Sequence, residues 1–130
     1  MTRLELKNHP VWQDLTEILE NLDSNRLVQE HLEQCKYKVS GYWDEQDEYY
    51  ETITLPRSLD AELVSSSIGV NQKERFLQLK FFLLAYSADT TQAPNNHTQK
   101  VGELVLVYNE NLEFVDENWL LDIDSPMLMK

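Results

Sequence analysis

From Leu77 to Ala85 every second residue is apolar (Leu77, Leu79, Phe81, Leu83, Ala85), with Gln78 and Lys80 between them. A period of two gathers these side chains on one face of an extended strand, whereas a helix scatters them around its axis. The competing signal is Asn71-Gln72-Lys73-Glu74, which has the form of a capping box and would start a helix running through Tyr86. The alternation outweighs it, so a strand is expected over 75–87. Gly102 to Tyr108 alternates as cleanly, with Glu103, Val105 and Val107 set against Leu104, Leu106 and Tyr108. Two such segments commit the chain to a sheet with at least one buried face.

The remaining elements follow from shorter cues. Val11, Trp12, Leu15, Ile18, Leu19 and Leu22 recur at helical spacing, with Asn8 as a cap and Pro10 in the first turn. Asp23-Ser24-Asn25 interrupts and can cap a second helix, with Leu27, Val28, His31, Leu32 and Cys35 on one side. Helices this short need a larger element to pack on. Tyr37 to Trp43 and Glu48 to Leu55, separated by Asp44-Glu45-Gln46-Asp47, read as a hairpin with a four-residue loop. That register sets Gly41 across from Tyr50, whose ring would cover the bare backbone. Ser58 opens a short helix carrying Leu59, Leu63 and Val64, and Gly69 ends it.

Asn109-Glu110-Asn111 supplies turn chemistry before a return at Glu113 to Val115, and Trp119 to Ile123 adds a short apolar segment. Residues 88–100 are expected as a flexible polar loop, and 125–130 as a loose C-terminal tail. The expectation is a single α+β domain over 1–130. It has a mostly antiparallel β-sheet of about five strands, with two N-terminal helices and one short inserted helix packed on one face.

Charge narrows the partners. Eleven Lys and Arg face 23 Asp and Glu, for a net charge of −12. That balance argues against docking by phosphate neutralisation, so neither nucleic acid nor an anionic membrane is expected as a partner. No run of about 18 apolar residues is present to cross a bilayer, and Met1 to Lys7 lacks a secretory pattern. One cysteine makes no disulfide framework. A soluble cytoplasmic protein is expected. The charge is concentrated: residues 41–70 and 101–130 each carry one basic and seven acidic side chains.

The sharpest feature lies in the first hairpin. Tyr42, Trp43, Tyr49 and Tyr50 interleave with Asp44, Glu45, Asp47 and Glu48. Aromatic faces beside carboxylates suit a lysine or arginine by cation–π and charge-assisted contacts together. The same rings also serve as ordinary strand packing against neighbours. Chemistry is otherwise sparse. His31 and Cys35 stand four apart on one helical face but have no second pair of ligands, so no metal is expected. Asp44 to Leu55 fails as a calcium loop, with Tyr49 where glycine is required and Leu55 where glutamate is. No phosphate-cradling glycine string or nucleophile motif occurs, and no cofactor is expected.

These readings favour a non-enzymatic cytosolic interaction or regulatory module that binds a basic protein partner through the 42–51 hairpin tip, with the acidic C-terminal hairpin as a second patch. The alternative is a small-ligand-binding domain or enzyme with a pocket between the helices and a curved sheet. Its liners would be His31, Tyr86, Tyr108 and Trp119. Self-association as a homodimer, through a sheet edge or through the apolar helices, is the third expectation.

Overall fold

The computed structural model describes residues 10–86 and 98–130, without the side chains of Val11, Trp12 and Thr98. The Asn8 cap and most of the polar loop expected over 88–100 lie outside the described residues. Among the described residues, helices α1 (Pro10–Glu20) and α2 (Ser24–Gln34) precede six strands. Strands β1 (Lys38–Trp43) and β2 (Tyr49–Thr54) form a two-stranded sheet. Strands β3 (Leu59–Asn71), β4 (Glu74–Tyr86), β5 (Thr98–Asn109) and β6 (Phe114–Leu121) form a second sheet in sequence order, each pair antiparallel. The class is α+β, with six strands in two sheets where about five in one were expected.

Helix α2 begins and ends on defined contacts. The Asp23 carboxylate accepts from the Arg26 N–H at 3.1 Å, which satisfies one of the orphan donors of the first turn. At the far end Tyr37 N–H donates to Leu32 O and Lys36 N–H to Glu33 O. This is the bonding of a Schellman stop, with Lys36 at φ 59° where glycine is the usual occupant. Val28 and Leu32 from α2 enter the core.

The inserted helix expected after Ser58 is not formed, and those residues build β3 instead. Leu59, Leu63 and Val64 do stand at helical spacing, but Leu59, Ala61 and Leu63 also alternate. Their partners Ala85, Leu83 and Phe81 on β4 decide between the two periods. A 13-residue β4 flanked only by β5 would leave a whole row of backbone groups without partners, and β3 supplies them. Gly69, read as a helix stop, therefore sits within a strand opposite Phe76. A Cβ there would stand 2.2 Å from the Phe76 ring, so the ring lies directly over bare backbone. The glycine–aromatic pairing expected at Gly41 and Tyr50 is thus found at Gly69 and Phe76. In β1 and β2 Tyr50 pairs with Tyr42, and the ring nearest Gly41 is that of Tyr49.

The strand expected over 75–87 is β4, and the supposed capping box Asn71 to Glu74 is its hairpin turn, with Asn71 paired to Glu74. Leu77, Leu79, Phe81, Leu83 and Ala85 all point to one buried face. Leu104 and Leu106 of β5, Val28 and Leu32 of α2, and Val39, Tyr42, Ile53 and Leu55 of the hairpin complete this core. The loop boundary expected at Lys100 moves, because Thr98, Gln99 and Lys100 pair with Tyr86, Ala85 and Leu84. The tail also departs from expectation. Thr54 and Met129 exchange both backbone hydrogen bonds, at 2.7 and 3.1 Å, and Leu128 is buried against the core. Residues 125–130 are therefore tied to β2 and not loose.

Candidate functional site

The loop between β1 and β2 is shaped by Asp44. Its carboxylate accepts the N–H groups of Gln46 at 2.9 Å and Glu48 at 2.8 Å, and its own N–H donates to Glu48 O at 3.0 Å. Asp47, at φ 61°, takes the left-handed position that lets the chain reverse. The loop therefore spans 44–48, one residue longer than expected, and closes on the Trp43–Tyr49 pair.

Strand alternation divides the predicted aromatic surface in two. Trp43 and Tyr49 face outward, 61% and 51% exposed, with ring centroids 4.9 Å apart. Tyr42 and Tyr50 face the sheet. Tyr42 is buried, and its hydroxyl accepts the Leu121 N–H at 2.9 Å, so it docks the hairpin on the end of β6 and is withdrawn from any partner. The Tyr50 hydroxyl donates to Glu48 at 3.1 Å and Asp44 at 3.3 Å. Partial burial and then these two carboxylates disfavour the phenolate, and the Tyr50 pKa is pushed up to about 12.

On the Tyr50 side the hairpin loop and the ends of β5 and β6 enclose an open cleft of about 740 Å³. Asp44, Glu45 and Glu48 line it from the hairpin, Glu103 from β5, and Asp122 and Asp124 from the segment after β6. Asp47 does not line it. Two lysines also reach the cleft, Lys100 and Lys130. Glu103 bonds to Lys100 at 2.8 Å and to Lys80 at 3.4 Å. The Lys100 bond, ahead of the Lys80 one, holds its carboxyl below the usual glutamate range despite partial burial. The other five carboxylates of the cleft form no ion pair among the described residues. Sequence reading named the residues of the hairpin half of this cleft and pointed to the acidic C-terminal hairpin as a second patch, without singling out Glu103, Asp122 or Asp124. Their only signal was the acidic excess of the last thirty residues.

The residues proposed to line an internal pocket do not converge on one. His31 on α2 meets the Glu117 carboxylate of β6 through Nε2, with the Phe114 ring 5.0 Å away edge-on and Trp119 at 6.1 Å. Tyr108 continues this aromatic wall through Phe114, at 6.3 Å. Tyr86 lies at the other end of β4, exposed and bonded to Asp60, whose carboxylate holds the phenol pKa up. The Cys35 thiol is spent on Leu32 O at 3.4 Å. Between α2 and the sheet, Leu32, Phe81 and Leu104 are wholly buried and pack together. Among the described residues no three His, Cys, Asp or Glu side chains are grouped to hold a metal ion, and no helix is long and apolar enough to cross a membrane. No family model, curated protein or solved structure matches the chain.

Proposed function

We propose that the chain is a protein-interaction module whose acidic cleft receives a lysine- or arginine-bearing segment of a protein partner. The observation that carries this reading is the convergence of Asp44, Glu45, Glu48, Asp122 and Asp124 on one open cleft, none of them in an ion pair among the described residues although Lys100 and Lys130 also line it. Like charges held this close repel one another, and an incoming basic side chain relieves that repulsion while forming charge-assisted hydrogen bonds. Long-range attraction to a chain of net charge −12 also raises the encounter rate at low salt. Trp43 and Tyr49 stand on the opposite face of the same hairpin and do not line the cleft; they offer a separate aromatic surface for a guanidinium or an apolar neighbour. Tyr42 is no part of this surface.

The test is titration of the full chain with extended peptides of equal length, one rich in lysine and arginine and one rich in glutamate. Only the basic peptide is expected to bind, and its affinity should fall steeply with added salt. The combined substitutions Glu45→Gln, Glu48→Gln, Asp122→Asn and Asp124→Asn should weaken it at least about tenfold. They leave the Asp44 turn intact. Equal affinity in wild type and variant at low salt would remove the cleft from the binding surface.

A further inference from the structure

The two edges of the four-stranded sheet are not alike. The β6 edge carries Asp116 and Glu117, and its Leu121 N–H is already taken by Tyr42. On the β3 edge, among the described residues, α2 covers only the beginning: Asn25 accepts the Ala61 N–H at 2.6 Å, and Gln29 donates to Leu59 O at 2.9 Å. Beyond the bulge at 63–65 the edge runs on through residues 65–71 without a charged side chain or a proline. Ladder alternation fixes which groups are free. Ala61 points outward, the bulge shifts the register by one, and Ser65, Ser67 and Gly69 then bond to β4. Ser66, Ile68 and Val70 therefore each present an N–H and a C=O away from the sheet. Ile68 and Val70 are 43% and 72% exposed.

We propose that two copies of this chain pair antiparallel along the free half of β3, about a two-fold axis at Ile68, to form one continuous eight-stranded sheet. A strand edge is satisfied by another strand, and this one is self-complementary. Ile68 stands opposite its own copy, Ser66 stands opposite Val70, and each pair exchanges two backbone hydrogen bonds. The other face of the segment carries Ser65, Ser67 and Gly69, which are small enough to leave the pairing unobstructed. Charge selects the occupant. Two chains of −12 repel wherever acidic surfaces meet, and this uncharged edge brings the copies together with no carboxylate opposed to another. A basic segment gains nothing from charge here and is drawn to the cleft instead. The contact is short, so the dimer is expected to be weak and concentration-dependent.

Sedimentation equilibrium of the full chain, from about 1 to about 300 µM, should follow a monomer–dimer equilibrium across that range. Ser66→Pro removes an outward donor that the monomer does not use, and Ile68→Lys places a charge at the two-fold axis. Each should weaken the dimer at least about tenfold while keeping the wild-type circular dichroism. If Ser66→Pro disturbs the strand spectrum, Ile68→Lys decides. In a Cys35→Ala background, Ile68→Cys should cross-link on oxidation and Asn118→Cys, on the opposite edge, should not. A monomer at every concentration, a dimer indifferent to Ile68→Lys, or equal cross-linking at both edges overturns the proposal.

Discussion

At the scale of single residues, polar side chains do much of the work of shaping the backbone. Only three glycines occur, and Lys36, Tyr37, Asp47, Gln72 and Leu112 all take positive φ. That conformation costs a non-glycine residue roughly 1 kcal/mol, so each such turn must be held by other contacts. Asp44 illustrates the holding, since one carboxylate organises its loop and also reaches Tyr50. The raised Tyr50 pKa has a consequence for stability. Between the ordinary value of 10.0 and about 12 the unfolded phenol has lost its proton and the folded one keeps it. The folded state binds more protons there, so stability falls as pH rises through this window and levels off above it. Ultraviolet titration of tyrosinate should include a phenol titrating at about 12 that is absent from Tyr50→Phe. Glu48→Gln should bring it back toward the ordinary value, and an unmoved titration would show that burial alone holds it up.

At the scale of elements, local pattern and tertiary partner compete, and the partner wins where the pattern is double. Residues 77–85 alternate over five apolar positions, and β4 follows directly. Leu59 to Gly69 carries both a helical and an alternating reading, and only the ladder offered by β4 separates them. The C-terminal segment carried no pattern at all. Its Met-Leu-Met run is short and follows Ser125-Pro126, so a free end was the natural expectation. Yet Leu128 is buried and Met129 bridges to Thr54. Deleting residues 127–130 should therefore destabilise the protein by about 2–4 kcal/mol, combining one buried leucine with two backbone bonds. Urea unfolding measures this directly. An unchanged midpoint would mean that the tail rides on the fold without supporting it.

At the scale of the whole molecule the dominant quantity is charge. Carboxylates from three separate stretches meet at the cleft, Asp44 and Glu103 being 59 positions apart in the chain, and like charges gathered in this way are expected to oppose folding through repulsion. Raising NaCl from about 10 mM to about 200 mM should raise the melting temperature as that repulsion is screened. The pair Asp122→Asn and Asp124→Asn should raise it at low salt, and the gain should shrink at high salt. A melting temperature indifferent to both would show that the acids do not act as a cluster.

The hairpin half of the site was legible in the sequence because Asp44, Glu48 and Tyr50 are neighbours along the chain, and a turn depends on neighbours. The strand character of residues 77–85 and the cap at Asp23 were legible for the same reason, since period and capping are local properties of backbone geometry. What only tertiary structure decided is which residues far apart in the chain share a space. That holds for Glu103 and Asp122 beside the loop, for Phe76 over Gly69, and for β3 in place of a helix. It also separated Tyr42 from Trp43, because adjacent strand residues point to opposite faces and only packing chooses which face is the core.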